Sequence, residues 1–231
     1  PPFIKSLALL SKRIDKKEVA SLKFILCTGA MLSKKDVDQI YQNLSIRVLN
    51  YYGLTETYGF CIAQPYYTPD FEPNNIGIPI EGVEVEIEDE NYLGIGKLII
   101  RSERLYDGYL GKKSHNCDTY ATGDLAKINQ NGEVLLYGRA DDAINLSSTE
   151  LVYPFDIEEI LISSPLVFDA KVIKHEQSWK AIIVSNTDKS ELFEHFNDQF
   201  LSKYIPQNFT VVDSIKQNPL GKVLKVFLEE K

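Results

Sequence analysis

The chain of 231 residues is 44% apolar and 25% charged, with a formal net charge of −8. These values predict a soluble globular protein with an ample core, and no apolar run approaches the ~18 residues of a membrane span. The acidic balance argues against a nucleic-acid partner, because phosphate backbones are bound by clustered Lys and Arg. The first residues show no signal-peptide pattern, which predicts a cytoplasmic protein.

The cysteines and histidines do not form a recognisable site. Cys27, Cys61 and Cys117 are widely spaced and contain no Cys-x-x-Cys unit, and the three histidines are similarly scattered. We therefore expect neither a disulfide framework nor a zinc or histidine-based metal site.

The amino-terminal part predicts alternating helices and strands. Residues 4–10 form an amphipathic patch typical of a helix, and residues 22–27 predict a buried strand. A helix capped by Ser33 follows, and residues 46–50 predict a second strand. This order indicates a parallel βαβ layer, an arrangement that places ligands at the carboxyl ends of its strands.

Two loops follow those strands. The first, residues 28–30, contains Gly29 and Ala30, whose small size lets a backbone or a flat ligand approach, although local evidence alone favours an ordinary strand-to-helix turn. The second combines Tyr52, which offers a ring to a purine, Thr55, which offers a hydroxyl to a phosphate, and Glu56, which offers a carboxylate to a divalent cation. A polar loop with a structural tyrosine is the alternative.

From residue 75 onwards the pattern is that of short strands. Residues 83–87 alternate apolar and acidic side chains, residues 97–101 form another strand, and Asn131-Gly132 predicts a tight hairpin. Together these features predict a small antiparallel β subdomain. A glycine turn is expected to place Asp124 at the start of one strand, with Arg139 following another.

Beyond residue 143 the pattern becomes α+β. The expected elements are a helix started by Pro154 and ending at residue 162, a helix over residues 190–204 capped by Asp188, and strands at 170–174, 180–185 and 209–215. The chain then reaches a loop in which Gly221 precedes Lys222. By itself Lys222 is a solvated charge, and a Walker-type P-loop is excluded because the upstream glycine is missing.

Four motifs resemble the adenylate-forming superfamily, which includes acyl-CoA synthetases, adenylation domains of peptide synthetases and luciferases. They are Tyr-Gly-Leu-Thr-Glu at 52–56, Thr-Gly-Asp-Leu at 122–125, Gly-Arg-Ala-Asp-Asp at 138–142 and Pro-Leu-Gly-Lys at 219–222. The resemblance covers the carboxyl-terminal portion of that superfamily. It implies a fold class of α/β and α+β: the end of an α/β layered domain with a small antiparallel β subdomain over residues 1–139, and a hinged α+β lid over residues 140–231.

The resemblance implies that a carboxylic acid, fatty or aryl, attacks the α-phosphorus of ATP. The acyl-adenylate is then passed to a thiol of coenzyme A or of pantetheine on an acyl carrier protein. Asp124 would accept both ribose hydroxyls, since one carboxylate offers two acceptor oxygens. Tyr52 would stack on adenine, Thr55 would bind the α-phosphate, and Glu56 would hold Mg²⁺. Lys222 would be the catalytic cation that stabilises charge in the transition state.

The resemblance assigns further positions to the same reaction. Arg139 would assist at the ribose or phosphate, and Asp141 would be the hinge about which the lid rotates between half-reactions. Gly29, Ala30 and Gly53 would lie against the nucleotide.

The sequence departs from the superfamily pattern in two places. No Ser/Thr/Gly-rich loop followed by Lys precedes Thr55, so we expect a fragment that does not catalyse adenylation alone. Ser148 and Thr149 replace a usual glycine and would narrow the path of a pantetheine arm, which makes thioester formation the less certain step. Phe60, Tyr66 and Tyr67 indicate an apolar wall for the acid or ordinary loop packing. A catalytically inactive nucleotide-binding or interaction module is the alternative to an enzyme.

Overall fold

The structure is a computed structural model that describes residues 2–29, 31–66, 71–112, 118–145, 151–175, 178–206 and 208–216. Within these residues the α-helices are α1 (Pro2–Leu10), α2 (Lys34–Leu44), α3 (Pro154–Ser163) and α4 (Lys189–Gln199). The strands are β1 (Phe24–Cys27), β2 (Arg47–Tyr52), β3 (Ile62–Ala63), β4 (Asn75–Pro79), β5 (Glu84–Glu88), β6 (Gly96–Arg101), β7 (Thr119–Ile128), β8 (Val134–Arg139), β9 (Ile144–Asn145), β10 (Leu151–Val152), β11 (Asp169–His175), β12 (Ser178–Val184) and β13 (Phe209–Val212). The chain divides into two compact units, Pro1–Tyr137 and Gly138–Lys231.

The first unit contains a mixed sheet of eight strands in the order β1-β2-β3-β4-β8-β7-β6-β5. Strands β1 and β2 are parallel, in a register that pairs Phe24 with Arg47, and α2 connects them. The predicted βαβ layer is therefore confirmed. The predicted β subdomain is not a separate sheet, because β3 pairs antiparallel with both β2 and β4 and joins the two parts.

Strand β1 lies at one end of that sheet. Among the described strands it pairs only with β2. Phe24 and Leu26, on alternate positions of β1, are 40% and 46% exposed, whereas Cys27 is buried. The other apolar residues of this region form a core between α1 and α2 around Ile4, Ala8 and Ile40.

A buried polar cluster holds the middle of the sheet together. The backbone N–H of Asn50 donates to Oε1 of Gln64 at 2.7 Å, and the amides of Asn50 and Gln64 both donate to the carbonyl of Asn75, at 3.1 and 3.0 Å. Each buried donor thus has an acceptor, which removes the cost of desolvating it. The cluster fixes the positions of β2 and β4 on either side of β3.

Three local expectations need correction. Asp124 lies inside β7 rather than at a strand start; Gly123, with φ of +76°, accompanies a register shift against β6 between Lys97 and Ile99. The hairpin between β7 and β8 is present, but at Asn131-Gly132 only Gly132 has a positive φ. The side chain of Asn129 accepts hydrogen bonds from the backbone N–H groups of Asn131 and Glu133 and thereby stabilises a wider turn. Ser33 precedes α2 without a capping side-chain hydrogen bond.

The second unit is built on the sheet β11-β12-β13, in which β12 is antiparallel to β11 and parallel to β13. Phe196 of α4 is fully buried. Its ring stacks on that of Phe200 at a centroid distance of 5.5 Å and meets that of Phe209 in β13 at a centroid distance of 5.9 Å. The expected cap of α4 is confirmed, since Asp188 accepts from two backbone N–H groups at 2.9 and 3.0 Å. The helix ends at Gln199, earlier than expected, and a 3-10 turn over Ser202–Tyr204 follows.

No helix in the described parts of the chain has the length and apolar character that crossing a membrane demands.

Phe196 provides a test of the second unit's core. Because its ring is fully buried, Phe196→Ala should lower the free energy of unfolding by about 3–5 kcal/mol. The matched control is Phe193→Ala on the same helix, where the ring is 37% exposed and the expected loss is much smaller. Urea unfolding of both variants measures the difference, and equal losses would contradict the assigned core.

Asp156, in the first turn of α3, provides a test of pH dependence. Burial raises the pKa of its carboxyl from 3.8 to about 6. A pKa raised in the folded state means that its contribution to stability is complete below about pH 4 and lost as the pH rises through 6. The free energy of unfolding should therefore fall by about 1–2 kcal/mol less between pH 4 and 7 in Asp156→Asn than in the wild type. This figure is reduced because the carboxyl is partly exposed and solvent screens its charge. Unfolding curves at pH 4 and 7 measure this, and the exposed Asp198→Asn should retain the wild-type decline.

Candidate functional site

Two of the predicted site residues meet inside the first unit. The hydroxyl of Tyr52, the last residue of β2, donates a hydrogen bond of 2.5 Å to Oδ2 of Asp124 in β7. The two side chains are 8% and 5% exposed. Strands β2 and β7 are four places apart in the sheet order, which in a flat sheet would separate them by about 19 Å. The contact therefore requires the sheet to curl.

The electrostatics of this pair keep the phenol as the donor. Burial raises the pKa of Tyr52, and the negative charge of Asp124 raises it further, so the hydroxyl holds its proton at neutral pH. Thr122 holds the backbone of Asp124: its hydroxyl donates to the carbonyl of Leu98 at 2.9 Å and accepts the backbone N–H of Asp124 at 3.0 Å. Asp124 is thus a buried carboxylate whose position is fixed by its own strand.

The loop after Tyr52 is closed by a very tight backbone contact. A Cβ atom placed on Gly53 would lie 1.2 Å from the carbonyl oxygen of Gly59, so only glycine fits at position 53. Leu54 accepts the N–H of Gly59 at 2.8 Å, and the Thr57 hydroxyl accepts the N–H of Leu54 at 2.9 Å. These contacts hold the 3-10 turn Thr55–Thr57, which presents Thr55 at the surface.

Glu56 is the residue of this turn that offers a carboxylate to a cation. Its Oε1 accepts a hydrogen bond from the hydroxyl of Tyr109, and its backbone carbonyl accepts the N–H of Tyr106 at 2.9 Å. The hydrogen bond to Glu56 raises the pKa of Tyr109, which keeps that hydroxyl protonated. Within the described residues no cluster of three or more His, Cys, Asp and Glu side chains exists that would hold a metal alone.

A single carboxylate nevertheless suits Mg²⁺. This ion usually keeps several waters and is bound by one or two carboxylates together with substrate phosphates. A carboxylate has about four lone-pair positions, so Glu56 can accept from Tyr109 and ligate a cation at the same time. The donor set at Glu56 therefore fits a magnesium ion that arrives with a nucleotide.

A cavity of about 440 Å³ is lined in part by Thr57, the residue that follows Glu56 in sequence. This volume lies in the range of small-molecule sites. Its polar wall residues include Ser102 and Arg104. Most of the wall is formed by apolar side chains, those of Phe60, Cys61, Ile80, Val83, Ile100 and Leu105. Phe60 lines this cavity and its ring also packs 5.1 Å from that of Tyr51, while the Tyr66 ring lies 5.5 Å from that of Phe24, so both contacts are compatible with ordinary packing. Tyr67 lies outside the described residues.

The structure also describes three of the other predicted residues. Gly29 follows β1 with φ of +92° and open space beside it, while Ala30 is outside the described residues. Arg139, the exposed last residue of β8, and Asp141, exposed in the 3-10 turn Ala140–Asp142, belong to the second unit. Lys222, like Ser148 and Thr149, lies outside the described residues, so its role stays a prediction.

Sequence reasoning missed the residues that support the site. Thr122 was noticed only as part of a motif, and Tyr109 was not considered although it contacts Glu56. A tyrosine 53 positions from its partner gives no local signal. The stacking role predicted for Tyr52 is not evident from its surroundings, because its ring is buried and its hydroxyl is engaged by Asp124.

Tyr52→Phe tests the central contact. The change removes the donor to the buried Asp124 carboxylate while keeping the ring, and we expect the free energy of unfolding to fall by about 1–3 kcal/mol. Tyr51→Phe, at the half-buried neighbouring position, is the control and should change it by much less. Denaturant unfolding compares the two, and a neutral Tyr52→Phe would show that the bond is not formed in solution.

Comparison with known proteins shows what this chain is similar to. A sequence profile described as AMP-binding enzyme matches residues 1–110. A 2-succinylbenzoate–CoA ligase of Lactococcus lactis subsp. lactis (strain IL1403) is 29% identical over 94% of this chain and 49% of its own. The enzyme of the same description from Staphylococcus epidermidis (strain ATCC 35984) is 33% identical over 88% of this chain and 45% of its own.

The fold is shared with a solved structure. The crystal structure of ATP-bound MatB from Rhodopseudomonas palustris superposes with a TM-score of 0.83 at 24% identity, covering 99% of this chain and 49% of that one. The chain spans about half the length of the curated relatives it matches. The sequence motifs, the profile match over residues 1–110 and the shared fold agree in relating this chain to AMP-binding enzymes of the adenylate-forming superfamily.

Proposed function

We propose that this chain is part of an ATP-dependent acid–thiol ligase. In the first half-reaction an oxygen of the acid's carboxylate forms a bond to the α-phosphorus of ATP, and the bond from that phosphorus to the bridging oxygen breaks, releasing pyrophosphate. In the second, a thiolate forms a bond to the acyl carbon, and AMP leaves. The observation that carries this proposal is the buried contact between Tyr52 and Asp124, which unites two nucleotide-binding motifs 72 positions apart.

The residues of the first unit would bind and orient the nucleotide. Asp124 would accept from the ribose hydroxyls, a role supported by a backbone held through Thr122 and a carboxylate held by Tyr52. Thr55, at the surface of its turn, would donate to the α-phosphate. Glu56 would hold the magnesium ion, whose charge offsets that of the phosphates when it is bound.

The cavity lined in part by Thr57 would receive the body of the acid. Thr57, which follows Thr55 and Glu56 in the same 3-10 turn, lines this cavity, and its mostly apolar wall suits the body of an organic acid. The names of the two curated relatives favour an aryl acid over a fatty acid. Their names also favour coenzyme A over a carrier-protein arm as the thiol.

The second unit would act as a mobile lid. The boundary between the compact units falls between Tyr137 and Gly138, immediately before Arg139 and the exposed Asp141. We propose that rotation about Asp141 brings Lys222 to the α-phosphate for adenylation and withdraws it for thiol transfer. Arg139 would assist at the ribose or phosphate.

Binding of AMP to the 231-residue chain tests the nucleotide site. Asp124→Asn replaces one acceptor oxygen by a donor, so we expect AMP to bind about 10–100-fold more weakly by calorimetry. 2′,3′-Dideoxy-AMP lacks both hydroxyls, and its affinity should change little between wild type and variant. Asp118→Asn, an exposed carboxylate just before β7, is the matched control and should bind AMP normally.

Equal losses for AMP and the dideoxy analogue would mean that Asp124 supports the fold rather than the ribose. Absence of AMP binding by the wild-type chain would overturn the proposal for this part of the protein.

A further inference from the structure

Three tyrosines form a packed group beside Glu56, which we call the tyrosine cluster: Tyr106, Tyr109 and Tyr120. The ring of Tyr106 meets the ring of Tyr109 at a centroid distance of 5.1 Å and that of Tyr120 at 5.7 Å, both edge to face. Edge-to-face contacts of this kind hold rings in fixed relative orientations. The cluster joins the segment before β7 to the first residues of that strand.

The tyrosine cluster makes two hydrogen bonds to Glu56. The hydroxyl of Tyr109 donates a hydrogen bond to the Glu56 carboxylate. The backbone N–H of Tyr106 donates a hydrogen bond to the backbone carbonyl of the same glutamate. Tyr120 packs edge to face on Tyr106, and burial together with the Glu56 carboxylate raises the pKa of Tyr120. Main chain and side chain of Glu56 are therefore both held by the cluster.

Orientation matters for a carboxylate that ligates a metal through a flexible side chain. A glutamate side chain loses rotamer entropy when it is fixed, and a hydrogen bond present before the ligand arrives removes part of that cost from binding. Partners behind metal ligands typically change metal affinity by about 10–100-fold when they are removed.

We propose that Tyr109 is a positioning residue, which orients the Glu56 carboxylate toward the magnesium ion of Mg·ATP. This inference rests on the proposed function. Tyr109 is 49% exposed, so its ring buries little apolar surface. Its hydroxyl contact with Glu56 is the feature that a phenylalanine would not reproduce.

The test compares two nucleotides on the 231-residue chain. The first nucleotide is α,β-methylene-ATP, added with Mg²⁺. Its methylene bridge between the α- and β-phosphorus cannot be cleaved by adenylation. The second nucleotide is AMP, added without metal. Tyr109→Phe should lower the affinity for the magnesium nucleotide by about tenfold and change the affinity for AMP by less than about twofold. Only the magnesium nucleotide needs Glu56 as a metal ligand. Calorimetry gives both affinities, and thermal melting verifies folding.

Two comparisons separate positioning from general stability. Tyr92→Phe, at a loop position that is 81% exposed, is the matched control and should leave both affinities unchanged. In the Glu56→Gln background, Tyr109→Phe should cause no further loss, because the group it orients has already been changed.

Each other outcome overturns a specific statement. An equal loss for both nucleotides, or no loss for either, overturns the role of Tyr109 while leaving the nucleotide site intact. Failure of the wild-type chain to bind AMP or the magnesium nucleotide overturns the proposed function, and the inference about Tyr109 with it.

Discussion

The hydrogen bond from Tyr52 to Asp124 is the contact on which the candidate site depends. It joins β2 and β7, which the strand order separates, and it is possible only because the sheet curls. Its partners are buried, and burial raises the pKa of the phenol, so the bond retains a protonated donor. Through this contact the loop that carries Thr55 and Glu56 stands at a fixed place relative to Asp124.

Much of the fold is readable from the sequence because its signals are local. The helices α1, α2 and α3, the parallel pair β1 and β2, and the Asp188 cap follow from apolar periodicity and capping residues. The family follows from motifs at fixed spacing. The merging of the β subdomain with the parallel layer was not predicted, because it depends on the two-residue strand β3, which is too short to show any periodicity.

The site was predicted as a set of residue types but not as a geometry. Asp124 was expected at a strand start, since glycine usually marks a turn, whereas Gly123 here accommodates a register shift within β7. Tyr109 was missed because its partner is distant in sequence. Local pattern thus identified the groups that would bind the nucleotide, and only tertiary structure identified the groups that hold them.

The end of the sheet at β1 has a consequence for handling the chain in solution. Phe24 and Leu26 are exposed along a strand that has a neighbour on only one side among the described residues. A strand at the edge of a sheet with exposed apolar side chains can pair with the corresponding strand of a second copy of the chain. Concentration-dependent self-association is accordingly the behaviour to monitor by light scattering before any affinity is interpreted, and a peptide that extends the sheet at this margin would suppress it.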